Sequence, residues 1–319
     1  MSSVGLVLGG GGVTGAAYEI AALMAIELAT DWSSNQSEVV IGTSAGSFVA
    51  SLVRHDRLDL DSLVRRGDDR ADVAERVAGH LFMKRPGVKL GTWVRHGLIP
   101  GVRRPGLTML LGSPAPWEAT GLANWVREQI GDAGAGWPSK PTVVTAFDVG
   151  ARRRVAFGTE NAPEVGIADA VAASSAIPLV FRPYPIDGRL YVDGGVVSGT
   201  HADLVLGNPT PLDLVLVLAP MAADEIRDGA WFYEKMFDQA GTTALTQEIA
   251  SIRAAWPNAD VLVLRPSPQV LAAMRPNPMD PKAAVPTFVR TLSSMKRSLA
   301  RPEVWSVLER HLAPASSRT

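Results

Sequence analysis

The chain has 319 residues, 46% of them hydrophobic, with a formal net charge of -1 at pH 7 and no cysteine. That length and apolar content suit one large packed α/β domain or two small ones, and the near-neutral balance gives no reason to expect a nucleic-acid partner. The missing thiols exclude disulfides, a cysteine nucleophile and thiolate metal sites. No basic residue precedes Arg54 and no apolar run approaches the length of a membrane span, so the expectation is a cytoplasmic chain without a secretory leader.

The aliphatic run from Val4 to Leu8 breaks abruptly into Gly9 to Gly12, which predicts a buried strand entering a tight loop. From Gly15 to Ala29 the composition turns Ala-rich, with Ile20, Leu23, Met24 and Leu28 at helical spacing, and a buried helix is predicted. Glu38 to Ile41 reads as a second strand. Strand, helix, strand units are parallel and right-handed in nearly every case, so both loops should leave the sheet at the same edge. The second loop, Gly42-Thr43-Ser44-Ala45-Gly46, has the G-x-S-x-G spacing of a strand-to-helix elbow. Gly42 and Gly46 remove side chains that would collide across such a turn, and a helix predicted from Ser47 to Leu52 places Ser44 near a dipole that favours a developing alkoxide.

Residues 54–85 mix charges with Val and Leu at helical intervals, as in Arg65, Arg66, Asp68, Asp69 and Arg70, the pattern of a solvated helical surface. Residues 86–121 interleave Trp93, Arg95, His96, Arg103, Arg104, Leu107, Met109, Leu110, Leu111 and Trp117. Two readings stay open there: a mobile cover that touches a lipid surface, or an ordinary insertion packed on the core. Together, residues 54–140 form the expected helical or irregular cover. A helix from Leu122 to Ile130 follows, then a strand pair, Thr142 to Phe147 and Arg154 to Phe157, joined by a turn at Asp148 to Arg152. Ile167 to Ser175 reads as a buried helix stopped by Pro178, and Arg189 to Val192 as a strand running into Asp193-Gly194-Gly195. Beyond it, strands are predicted at Leu214 to Leu218 and Val261 to Leu264, helices across Glu225 to Trp256 and 282–312, a proline-rich surface loop from Pro266 to Pro286, and a disordered tail over 313–319.

Three motifs stand in a fixed order: Gly10-Gly11-Gly12-Val13-Thr14-Gly15, the Gly42 to Gly46 elbow, and Asp193-Gly194-Gly195, the last preceded by Ala172 to Pro178 and Phe181-Arg182-Pro183. Over roughly residues 4 to 220 this set resembles the patatin-like phospholipase family. The resemblance implies one domain over 1–312 with a three-layer α/β/α sandwich and a mainly parallel central sheet. It implies Ser44 as nucleophile, Asp193 as its base in a dyad without histidine, and the amides of Gly10, Gly11 and Gly12 as oxyanion donors. Gly15, Gly42, Gly46, Gly194 and Gly195 would support the motif geometry, with no metal or other cofactor. The implied activity is hydrolysis of lipid or other acyl esters; membrane-surface contact through 86–121 belongs to the first of the two readings of that segment. Two departures bear on substrate preference or level of activity: Thr14 stands where the family usually has Arg or Lys, and Val196 to His201 lacks the Asn-x-Pro commonly found after the acid.

Other readings remain. A serine hydroxyl needs a base within reach, and a Ser-His-Asp hydrolase would supply one through histidine. Its elbow normally follows several strands, and of the five histidines only His201 lies near a site loop, where a surface residue is the simpler expectation. Gly10-x-Gly12-x-x-Gly15 also satisfies the dinucleotide fingerprint, but the second strand ends in Ile41-Gly42-Thr43-Ser44 and lacks the acid that would hold a ribose. The departures at Thr14 and after Asp193 also fit a binding protein that retains a weak or dead site.

Overall fold

The computed structural model describes residues 2–58, 67–84, 90–100, 110–222 and 232–313, with only the backbone given over 232–240. The charge cluster at Arg65 and Arg66, the basic pair Arg103 and Arg104, and residues 314–319 lie outside that set.

The first four elements alternate as their periods predict: β1 Val4–Leu8, α1 Gly12–Thr30, β2 Val39–Thr43 and α2 Ala45–Arg54. Then come α3 Arg70–Leu81, β3 Met83–Lys84, β4 Trp117–Glu118, α4 Thr120–Ile130, β5 Thr142–Asp148, β6 Arg153–Phe157 and α5 Ile167–Ser174. The remainder is β7 Tyr184–Ile186, β8 Arg189–Asp193, β9 Leu214–Leu218, α6 Phe232–Ala255, β10 Asp260–Leu264, α7 Pro268–Met274, α8 Ala284–Leu299 and α9 Pro302–His311. Two elements correct the sequence reading. The proline-rich stretch holds α7, and its following turn packs inward through Pro278 and Met279 rather than lying at the surface. α1 is 19 residues long and apolar enough to cross a membrane by length and composition, yet here it is the central helix, fitted between the sheet, α2 and α8.

The main sheet has the order β10-β9-β1-β2-β5-β8-β7, with β6 on β5. β10, β9, β1, β2 and β5 are parallel, while β6 and β8 run antiparallel to β5 and β7 antiparallel to β8. Alternate residues of the central strands feed two cores. Leu6, Leu8, Leu214, Leu216 and Leu218 pack with α1, α2, α4, α5 and α8, whereas Val7, Val215 and Val217 pack with Leu245, Ile252 and Trp256 around α6. The result is a three-layer α/β/α sandwich around a mainly parallel sheet. Every residue of β1, β2 and β9 is buried, and each fully enclosed Val, Leu or Ile contributes about 1.5–3 kcal/mol.

Register explains how distant segments meet. Thr43 pairs with Thr145 and Asp193 with Ala146, while β6 pairs with Val144 to Asp148. β6 overlaps both β2 and β8 along β5, so it must occupy the opposite edge, and β2 and β8 share the other. They run toward each other along it. Their C-terminal ends therefore abut, and the residue leaving β2 faces the last residue of β8.

Candidate active site

Ser44 is that residue leaving β2. It stands at φ 52° and ψ -120°, a strained conformation for a non-glycine residue, so the turn aims its side chain away from both strand and helix. The flanking glycines are required sterically. A Cβ on Gly46 would lie 2.2 Å from the Leu8 carbonyl oxygen, and one on Gly42 would lie 2.6 Å from the Gly46 oxygen. The Ser44 amide donates to Ser174 Oγ at 2.8 Å, and the Gly46 amide to the Gly9 oxygen at 3.2 Å, so the elbow is tied to α5 and to the glycine loop.

Opposite it, the Asp193 carboxyl lies close enough to Ser44 for the serine to lower its pKa, and it accepts the Gly195 amide at 2.7 Å. Burial pushes its pKa up to about 6 from 3.8, opposed by Ser44 and the Gly195 amide. Gly194 is dictated by the abutting strands, because its Cβ would fall 2.8 Å from Thr145 Oγ1. Thr145 in turn shares a 2.8 Å hydroxyl pair with Thr43, which fixes the joint between β2 and β5 just below Ser44.

The glycine loop needs one correction. The Gly10 amide donates to the Gly199 oxygen at 2.7 Å, so this group is spent on the backbone and is not available to an oxyanion. What Gly10 supplies is proximity: its Cβ position is only 3.3 Å from Ser44 Cβ. Among the described residues no acceptor engages the amides of Gly11 and Gly12, nor that of Ala45 at the start of α2, which the sequence reading did not single out. Gly12 adopts φ 62°, and Met279 and Pro278 would both lie 2.8 Å from a side chain there. Gly15 lies where a Cβ would make ordinary contact with Pro220 and Ala45.

Thr14, where a basic residue was expected, is fully buried and donates its amide to the Pro278 oxygen at 3.1 Å. A lysine or arginine at that enclosed position would carry a heavy desolvation cost, so the 276–279 turn and the threonine belong together. His201 is also buried, contrary to the surface placement expected for it. Its Nδ1 faces an Arg154 nitrogen at 3.2 Å and its Nε2 the Gly194 oxygen at 3.1 Å. Arginine only donates and a carbonyl only accepts, so the ring is neutral with its proton on Nε2, and burial lowers its pKa accordingly. Both nitrogens are committed away from Ser44, which removes His201 as a triad base.

His201, Asp203 and Glu248 bring potential ligand atoms within 4.8 Å of one another. The positive charge in this cluster is already provided: Arg154 grips Asp203 with two bonds of 2.8 and 2.9 Å. The donor set therefore fits an arginine-centred network better than a metal ion.

A cavity of about 730 Å³ opens from Ser44 and Gly12. Its walls are overwhelmingly apolar, with Val13, Ile20, Phe48, Trp125, Phe181 and Phe288 among them. α3, part of the 54–140 region, contributes Val73, Val77 and Leu81, while Met279, Val285 and Phe288 come from the C-terminal segment. An apolar pocket of this size beside a buried hydroxyl and carboxyl can hold a long hydrocarbon chain with its carbonyl near Ser44.

The family model described as patatin-like phospholipase matches residues 6–206. No curated protein matches the chain significantly. Among solved structures, the chain is similar to VipD from Legionella pneumophila, at 15% identity and a TM-score of 0.35 over 92% of this chain and 67% of that one. It is also similar to human GIVD cytosolic phospholipase A2, solved with methyl γ-linolenyl fluorophosphonate, at 13% identity and a TM-score of 0.38. That match covers 97% of this chain, which spans 60% of the human chain.

Proposed function

This chain belongs to the patatin-like phospholipase family, and from that premise we propose that it is a serine hydrolase of long-chain acyl esters working through a Ser44–Asp193 dyad. Asp193 takes the proton of Ser44 as the serine oxygen attacks the acyl carbonyl carbon. The oxygen of the tetrahedral intermediate sits against the free amides of Gly11 and Gly12, with that of Ala45 as a third donor, and each such donor contributes on the order of 3 kcal/mol. Asp193 returns the proton to the departing alcohol, leaving an acyl-Ser44 ester. Water then attacks that ester, giving its proton to Asp193, and the fatty acid leaves as Ser44 is restored.

The observation that carries this reading is a buried carboxyl beside a strained serine that lines an apolar cavity. Burial raises the basicity of Asp193, which answers the weakness of an ordinary carboxylate as a base. α3 and α4, described helices of the 54–140 region, serve as a cover for the acyl chain, and the exposed Leu90, Val94 and Ile99 offer a face for peripheral contact with a lipid surface in the cytoplasm. The test is a panel of acyl esters of rising chain length with wild type, Ser44→Ala and Asp193→Ala. Turnover rising with chain length and abolished in both variants is expected; equal hydrolysis by all three would refute the dyad.

A further inference from the structure

We propose that Glu248 is a positioning residue: through Ser198, Thr200 and Ala202 it holds one segment that sets both the Asp193-Gly194 corner and the glycine loop. Glu248 is buried on α6, on the face of the sheet opposite α1 and beyond the family-matched residues. Its Oε1 accepts the Ser198 hydroxyl at 2.6 Å, and its Oε2 accepts the Thr200 hydroxyl at 2.6 Å and the Ala202 amide at 2.9 Å. Between these anchors, Gly199 presents the carbonyl that takes the Gly10 amide. His201, whose Nε2 reaches back to the Gly194 oxygen, lies in the same stretch. One carboxylate thus fixes the contacts made by residues 199 and 201, and these touch the two halves of the site.

The chemistry demands a carboxylate. Ser198 Oγ already accepts the amides of Thr200 and His201 at 3.2 and 3.1 Å, so it has no lone pair left for an incoming N–H. At the other oxygen, the Ala202 amide can only donate. A glutamine NH2 would therefore face a saturated hydroxyl in one orientation and another donor in the other, leaving a buried polar group unpaired either way.

The experiment is a pH titration of the Asp193 side chain by ¹³C NMR in wild type, Glu248→Gln and Thr200→Val, with turnover measured alongside. Leu245→Ala, a cavity on the same helix, controls for lost stability. Loosening the clamp lets water reach Asp193, so its midpoint should fall by at least about one unit in Glu248→Gln and about half that in Thr200→Val. kcat should fall at least about tenfold in Glu248→Gln with KM within about threefold, while Leu245→Ala lowers the melting temperature and moves neither quantity. If Glu248→Gln does not fold, Thr200→Val and Ser198→Ala decide the matter. An unmoved Asp193 midpoint in the folded variants overturns the proposal. Only the kinetic readout rests on the hydrolase reading: an inactive wild type with the predicted titration shifts would refute that reading and leave the clamp standing.

Discussion

Asp193→Asn keeps the shape of the side chain and removes its charge. The wild-type carboxyl is 5% exposed and its pKa stands at about 6 against 3.8 when free, a difference worth about 3 kcal/mol at 1.36 kcal/mol per unit. Because the folded value is the higher one, the contribution of this group to stability is complete below pH 3.8 and is lost as the pH rises through about 6. At pH 8 the protein therefore carries the whole cost of an ionised, enclosed carboxylate. Asparagine escapes it and can keep the Gly195 bond, its oxygen accepting that amide while its nitrogen faces Ser44 as a donor. With an unfolding entropy of roughly 0.7 kcal/mol/K for a chain of this size, the variant should melt about 4 °C above wild type at pH 8 and within about 1 °C of it at pH 4. Turnover should fall at least about a hundredfold. Calorimetry at the two pH values, paired with an ester assay, measures both effects. A variant that melts lower than wild type at pH 8, or by the same margin at both pH values, would refute the reasoning.

The kcat/KM profile of wild type should rise with pH through a midpoint near 6, since the base must be ionised, and activity lost instead as pH rises through that value would reverse the assignment. Ala16→Trp fills the cavity, and should lower kcat/KM for a sixteen-carbon ester at least about a hundredfold while a four-carbon ester changes little, since each buried methylene is worth about 0.8 kcal/mol. Glu19 is fully buried, with neither oxygen in hydrogen-bonding geometry among the described residues; the neighbouring Gly9 amide donates to Leu218 instead, and burial raises the carboxyl well above its usual range. Glu19→Met should therefore stabilise the protein by about 1–3 kcal/mol at pH 8 and by less at pH 4, as measured in urea unfolding.

The parts of the fold written locally were legible in the sequence. The glycine run, the alanine-rich helix and the G-x-S-x-G elbow each carry a signal within a dozen residues, and β1, α1, β2 and α2 lie where those signals place them. The pairing of Thr142 to Phe147 with Arg154 to Phe157 was equally readable, because a short turn leaves the chain little choice. What could not be read were contacts made across long separations. Asp193 meets Ser44 because β8 reverses direction on the edge of β5 that β2 has vacated, and no local pattern encodes that register. Glu248 sits in a run of Thr246, Gln247 and Glu248 that looks like a solvated helix face. Gly10 carries the same sequence signal as Gly11 and Gly12, yet its amide donates to Gly199. Pro278 and Met279 had the composition of a surface loop but close over the glycine turn. The separations run from 46 residues, between Glu248 and Ala202, to 267, between Met279 and Gly12.

Reaction with a long-chain alkyl fluorophosphonate, followed by peptide mass mapping, tests the central claim most directly. The dyad predicts one adduct, on Ser44, forming at least about a hundredfold more slowly in Asp193→Asn. An adduct on Ser174 or Ser175 in place of Ser44, or an undiminished rate in Asp193→Asn, would contradict it.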